Sequence, residues 1–214
     1  MSEVKVFQPE ELDGQYWRAL QGMARVALAE SLVAADRDQP DTDAQKLVGW
    51  DDPDRYYDSH LDPNTERGRR YNVKQEYTQP RVAVAFDDNG QRIGFAYSAH
   101  NVSGPWLERR AKLLTPSRRY LWLRDVAVLP NHQEEGIATE LITDLLSDAS
   151  VDERQPVSAY IWPQLMPQLD ETLRRHGFED RGGRDVRLFE TEEAIAQHFM
   201  VAPSAGGLLA QLRG

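Results

Sequence analysis

Apolar and polar positions along the chain fall into blocks with two different periods. Val4, Val6 and Phe7 suggest a short first strand, ended by Pro9. From about Asp13 the period lengthens. Trp17, Leu20, Ala24, Ala27, Leu28 and Ser31 recur at helical spacing to about Ala35, which predicts a helix with one face packed on a sheet. Between Asp36 and Pro80 neither period holds. Pro40, Pro53, Pro63 and Pro80 punctuate short segments dense in Asp, Tyr and Arg, and so long a connection inside a compact domain is expected to be a lid-like insertion, 36–80. Arg81 to Phe86 and Ile93 to Ala99 then read as two strands joined through Asp87-Asp88-Asn89-Gly90, where Asn-Gly signals a tight hairpin.

The strongest block is Tyr120 to Leu146. Leu121 to Val128 is rich in β-branched and aromatic residues, as in a strand covered on both faces, and Pro130 stops it. From Gly136 onward Ile137, Leu141 and Leu145, with Ala138, Ile142 and Leu146, mark an amphipathic helix. The helix is entered through Gln133, Gly136 and Ala138, so its first N–H groups are unshielded by large side chains and suit a phosphate or pyrophosphate. On either side, Val102 to Ser117 is an irregular basic connection and Pro156 to Trp162 another strand. Pro167 to His176 is a helix with acidic residues early, basic residues late and Gly177 as its stop. Asp185 to Glu190 reads as a last strand, Thr191 to Met200 as a helix capped by Thr191, and Ala202 to Gly207 as a linker of small residues. It leads to a tail, 201–214, whose Leu208 to Leu212 suits docking on a second copy of the chain, giving a homodimer, or fraying.

The spacing Gln133-x-x-Gly136-x-Ala138 resembles the acyl-coenzyme A loop of the GNAT superfamily of N-acetyltransferases, R/Q-x-x-G-x-G/A. The order of elements from Arg81 to Glu190 resembles that family's core as well: a hairpin and a Val-rich strand before the loop, a strand, a helix and a Gly-Phe pair after it. The resemblance implies an α/β (α+β) fold with a mixed, centrally splayed β-sheet flanked by helices, in one domain over 1–200. It implies acetyl-CoA as acyl donor, held by the backbone of Val126, Ala127 and Val128 and by the N–H groups of Gln133, Glu134, Glu135, Gly136, Ile137 and Ala138. Two positions depart from the family. Glu134 and Glu135 stand where basic residues are common, and carboxylates beside a pyrophosphate repel it. Leu173, four residues before Gly177, stands where the family often has a Tyr that protonates the leaving thiolate.

Other residues must therefore be weighed for catalysis. Tyr160, on the strand before, is a candidate acid, set against a tyrosine simply packed on the sheet. Asp125 is a candidate base. Strict alternation turns it away from the face of Trp122 and Arg124, a bulge would reverse that, and the competing reading is an ion pair with Arg124 or Arg119. Between Asp36 and Asp58 eight Asp stand against three basic residues. There Trp50, Asp51, Asp52, Asp54, Tyr56 and Tyr57 combine charge with π faces, which suits a cationic amine acceptor, although turn-forming Asp in a solvated loop reads equally well.

Composition narrows the partners. The chain has 214 residues, 40% of them hydrophobic, enough for a full core. A net charge of −10 and a pI near 5.0 disfavour nucleic acid and anionic membrane, and leave the Arg109, Arg110, Lys112, Arg118 and Arg119 cluster best read as solvated or paired within the chain. With no cysteine, disulfides, thiolate metal sites and a Cys nucleophile are excluded. The histidines show no paired metal spacing, so no metal is expected, and no apolar run reaches the roughly 20 residues of a membrane span. The reading is a cytoplasmic N-acetyltransferase that moves an acetyl group from acetyl-CoA to a primary amine by direct transfer. The alternatives are a catalytically weak acyl-CoA-binding or regulatory domain and a protein-interaction module.

Overall fold

The computed structural model describes residues 2–8, 11–35, 77–101, 120–164, 167–186 and 195–214. Its elements in chain order are β1 (Glu3–Phe7), α1 (Gly14–Ala35), β2 (Tyr77–Phe86), β3 (Arg92–Asn101), β4 (Tyr120–Val128), α2 (Ile137–Leu146), β5 (Val157–Ile161), α3 (Pro167–Arg175), β6 (Glu179–Val186), β7 (Ile195–Ala202) and α4 (Ala205–Arg213). A 3₁₀ turn, Pro130–His132, follows β4. The expected lid-like insertion and the connection from Val102 to Ser117 lie outside the described residues. None of the described helices is long and apolar enough to cross a membrane.

The strands form one mixed seven-stranded sheet in the order β1-β2-β3-β4-β5-β7-β6, with helices on both faces. Only β4 and β5 run parallel, and they pair over three positions alone, Leu121↔Val157, Trp122↔Ser158 and Leu123↔Ala159. Beyond Leu123, β4 stays paired to β3 through Val128 but has no partner on its other side among the described residues. The sheet therefore splays at its centre.

Each face carries its own core. On one, Leu121, Leu123, Val157, Ala159 and Ile161 pack with Ile137, Leu141 and Leu145 of α2 and with Leu173 and Phe178. On the other, Trp17, Leu20 and Ala24 of α1 pack with Val82, Val84, Phe95, Tyr97 and Ala127. Asp13 starts α1: its Oδ1 accepts the N–H of Tyr16 at 2.7 Å, filling one of the orphan donors of the first turn. The same second face continues over β5 and β7 as an aromatic cluster of Tyr120, Phe199 and Val201, with Tyr160 against it.

The C-terminal quarter differs from the sequence reading in three places. Residues 195–202 are a strand and not the end of a helix. Their alternation is hidden because both faces are apolar: Phe199 and Val201 join one cluster, Met200 and Ala202 the other. Its partner β6 begins at Glu179, earlier than expected, and as an edge strand it is polar and carries Gly182 and Gly183. The tail, expected to dock on a second copy or to fray, forms helix α4 and packs on the chain's own core. Ser204 caps α4 by accepting the N–H of Gly207 at 3.1 Å, and Ala205 and Leu208 are buried in the α2-side core. Arg213 reaches Ser147 at the end of α2 at 2.9 Å, and Gln211 lies over Gly177 at the end of α3. Helix α4 thus wedges the C-terminal ends of α2 and α3, so these helices meet the splay with their N-terminal ends.

Candidate active site

The loop from Leu129 to Gly136 is built by local chemistry. His132 and Gln133 turn back to the carbonyls of Leu129 and Pro130, at 2.9 and 3.3 Å, and the Gln133 side chain donates to the Val128 carbonyl at 3.1 Å. Gln133 thereby ties the loop to the end of β4. Glu134 at φ 68 and Gly136 at φ 83 are both left-handed. Gly136 is the N-cap of α2, and its carbonyl accepts the first helical bond from Glu140 at 3.1 Å. The N–H groups from Glu134 to Thr139 meet no acceptor among the described residues, which makes a concave run of donors at the positive end of a helix dipole. A Cβ on Gly94 would meet the Ala127 carbonyl at 3.1 Å and Ile137 at 3.3 Å, so a glycine there lets the start of α2 sit close on the sheet.

The loop glutamates are exposed. Glu135 is drawn aside by His132, whose Nδ1 stands 3.3 Å from its carboxylate. Asp87, on the neighbouring hairpin, is held below the usual carboxylate range by the Gln91 N–H above all, with Asn89 and the His132 charge adding to it. The expected repulsion is therefore partly met on the protein side for Glu135, and among the described residues no such contact is made by Glu134.

The open side of β4 precedes this loop, separated from the donor run by the bonded N–H groups of Leu129, His132 and Gln133. Leu129 donates to Ile93 of β3 at 2.9 Å, so alternation turns the backbone groups of Val126 and Val128 away from β3 and toward the splay. Open backbone groups at Val126 and Val128 and the donor run of the loop thus lie on either side of one short bonded turn, 129–133.

Across the opening, pairing between β3 and β4 slips by one residue: Tyr97 faces Asp125, but Ser98 faces Leu123. Arg124 is the extra residue of a β-bulge. Leu123 and Val126 both point to the α2 side, so Arg124 and Asp125 share the opposite face, that of Tyr97 and Trp122. The bulge therefore reverses the orientation that strict alternation gives Asp125. Arg124 Nε lies 3.2 Å from the Asp125 carboxylate, the two side chains being 14% and 18% exposed. Its guanidinium sits 5.5 Å over Trp122 and 6.0 Å over Tyr97. Tyr160, the first β5 residue past the last paired position, meets Trp122 edge-on at 6.2 Å and Phe199 at 5.2 Å. The two catalytic candidates thus share one face at the splay, and the ion-pair and ring-packing readings of both describe real contacts. Leu173 is buried in the α2-side core and presents no acid. Trp50, Asp51, Asp52, Asp54, Tyr56 and Tyr57 lie outside the described residues. Among the described residues no group of three or more His, Asp or Glu could hold a metal. What sequence reasoning missed is the grouping of Arg124 with Tyr97, which depends on the bulge and leaves no local signal.

A family model described as Acetyltransferase (GNAT) family matches residues 43–154, just over half of the 214 residues. The chain belongs to the GNAT acetyltransferase family. The match spans the hairpin, β4, the donor loop and α2. Solved structures share this GNAT fold at low identity. A spermidine N-acetyltransferase from Vibrio cholerae in complex with CoA and spermine is 14% identical, with 96% of this chain and 98% of that one covered and a TM-score of 0.54. Naa20 from Chaetomium thermophilum, in complex with a bisubstrate analogue, is 15% identical, covers 96% and 88%, and has a TM-score of 0.53. A structure described as histone acetyltransferase HPA2 and related acetyltransferase from Corynebacterium glutamicum is 14% identical, covers 95% and 98%, and has a TM-score of 0.51. No curated protein sequence matches the chain.

Proposed function

We propose that this GNAT family member is an N-acetyltransferase that moves an acetyl group from acetyl-CoA to a primary amine by direct transfer in a ternary complex. The observation that carries the reading is the open backbone edge of β4 followed, after one bonded turn, by the N–H groups of Glu134 to Thr139, which meet no acceptor among the described residues. That surface suits an extended amide-bearing arm ending in a pyrophosphate. Acetyl-CoA would supply the thioester-activated acetyl group.

The chain's own residues would do the rest. The backbone N–H and carbonyl of Val126 and the N–H of Val128 hold the donor's arm by strand-like pairing, and N–H groups at this edge steady charge that develops on the carbonyl oxygen. Asp125, on the acceptor-side face, is the proposed base for the incoming ammonium, acting directly or through water, and Tyr160 across the splay is the proposed proton donor to the leaving sulfur. Buried Leu173 leaves the second role without its usual holder, and this favours, as a second reading, a domain that binds acyl-CoA and turns over weakly.

Calorimetry with coenzyme A, followed by thiol release from acetyl-CoA over a panel of amines, tests both. Micromolar binding with turnover of at least one amine is the expected result. Binding without turnover selects the weak-catalysis reading. No binding overturns both and leaves an interaction module.

A further inference from the structure

We propose that the buried hydroxyls of Tyr120 and Ser158 receive the far end of the acceptor, so that the amine acetylated here carries an uncharged tail with a hydrogen-bonding oxygen and is not a polyamine. The inference rests on the acyl-transfer reading above and names the acceptor class for the same site.

Both hydroxyls lie on the face of the sheet that carries Asp125 and Tyr160. Val157, Ala159 and Ile161 of β5 point into the α2-side core, so alternation turns Ser158 with Tyr160 to the other face. Tyr120, on β4, packs with Phe199 and Val201 of β7, and β5 lies between those strands. Its ring therefore crosses β5, where Ser158 pairs with Trp122 on one side and Val201 on the other. A small residue at the crossing makes room for the ring. Packing accounts for the size of these two residues but not for their oxygens, since phenylalanine and alanine would fill the same space. Tyr120 is 3% exposed and Ser158 0%, and neither the Tyr120 hydroxyl nor the Ser158 Oγ has a hydrogen-bond partner among the described residues. A buried hydroxyl without a partner weakens a fold, and the great majority are paired. Two of them one diagonal step apart on neighbouring strands are accounted for by a ligand that pairs with both.

Solvent exposure falls along this face with distance from the splay. Trp122, Asp125 and Tyr160 at the opening are half-buried, whereas Tyr120 and Ser158 behind them are buried. The rings of Trp122 and Tyr160 meet edge-on at 6.2 Å between the two zones, and a rotamer change in either ring opens the way. Asp125 stands three residues past Trp122, so an amine held there has its tail directed about 10 Å along the strands to reach the hydroxyls. What the tail carries follows from the lining. Tyr120, Ser158, Tyr160, Phe199 and Val201 include no carboxylate, so a second ammonium would exchange its hydration for two neutral hydroxyls and ring faces. An uncharged hydroxyl or amide oxygen loses far less on burial and regains it by pairing with both groups.

The test uses three linear amines of equal length that end in a hydroxyl, a methyl or an ammonium group: aminohexanol, heptylamine and diaminohexane. Thiol release from acetyl-CoA is followed for the wild type, Ser158→Ala, Tyr120→Phe and the double variant, with coenzyme A affinity and the chemical-denaturation midpoint recorded for each. The wild type is expected to favour aminohexanol over both others by at least about tenfold in kcat/KM. In the double variant the ratio of aminohexanol to heptylamine falls at least about tenfold, mostly through the KM of aminohexanol, and each single variant loses part of it. Coenzyme A affinity moves little. The denaturation midpoint stays level or rises, because the hydroxyls removed have no partner to lose. A wild type that prefers heptylamine or diaminohexane, or a ratio unchanged in the double variant, overturns the proposal. So does a lowered midpoint or a variant that fails to fold, either of which would mean that the hydroxyls are bonded within the protein. Coenzyme A binding with turnover of none of the three amines overturns it as well, whereas loss of coenzyme A binding in the wild type would defeat the underlying acyl-transfer reading.

Discussion

The two halves of β4 share one strand and one neighbour, β3, yet they do different work. From Leu121 to Leu123 the strand is hydrogen-bonded on both sides, and its inward side chains are 1% and 3% exposed. From Val126 to Val128 it pairs with β3 alone among the described strands, with only the Gln133 side chain on its other side, and runs into a largely exposed loop. A strand in mid-sheet normally satisfies every backbone group through its neighbours. Leaving half of one without a second strand is tolerable because the closed half is paired to both β3 and β5 and buries Leu121 and Leu123 in the α2-side core, while Ala127 and Val128 still anchor the open half to the two cores. The closed half fixes where the open half stands.

The contrast is sharpest in stability. Leu121→Ala, which empties a fully buried position in the closed half, is expected to cost about 2–5 kcal/mol in chemical denaturation. Val126→Ala, partly buried in the open half, should cost about 1 kcal/mol and leave coenzyme A affinity within a few-fold, since backbone and not side chain makes that surface. Equal costs in the two halves would mean that the open half is as much a part of the core as the closed one.

The next largest effect is on binding. Gly136 is left-handed at φ 83, and a Cβ there meets nothing within 4 Å, so substitution acts through backbone conformation and charge and not through a clash. Gly136→Asp should abolish coenzyme A binding measured by calorimetry. Gly136→Asn, which tolerates the same conformation without the charge, should lose about tenfold or less. Similar losses in both would assign the effect to strain alone.

Gln133 joins the two functions, because its side chain bonds the last carbonyl of β4. Gln133→Ala removes that bond at an expected cost of about 0.5–1.5 kcal/mol in stability, with coenzyme A affinity falling several-fold as the loop loosens. Unchanged affinity would show that the loop holds its shape through the Leu129 and Pro130 carbonyls alone.

Much of this contrast was legible in the sequence and some was not. The β4-loop-α2 unit shows because its signals are local: a β-branched run, Pro130, Gly136 in a left-handed cap and apolar spacing after it. The hairpin shows for the same reason, since Asp87, Asn89 and Gly90 make their own turn. The bulge does not show, because Arg124 is displaced by register with β3 and not by its own preference. Strand β7 was hidden because a segment apolar on both faces has no period-two signature, and β6 because an edge strand needs few apolar residues. The place of α4 follows from which surfaces α2 and α3 leave uncovered, which only the assembled sheet defines.

The smallest expected effect separates the two loop glutamates. At about 6 Å in water-like surroundings, one carboxylate and one unit of phosphate charge repel by roughly 0.7 kcal/mol, and less once salt screens them. Glu135 is already engaged by His132 at 3.3 Å, whereas Glu134 has no such neighbour among the described residues and sits within the run of donor N–H groups. Glu134→Gln should therefore tighten coenzyme A binding about two- to threefold at low ionic strength, fading toward no effect near 0.5 M salt. Glu135→Gln should tighten it less, because His132 already stands against that carboxylate at 3.3 Å. Calorimetric titrations of both variants at two salt concentrations make the measurement. Looser binding in both at every condition would mean that the carboxylates shape the loop, Glu134 by holding its left-handed backbone and Glu135 by anchoring to His132, and that the open half of β4 depends on them to receive its ligand.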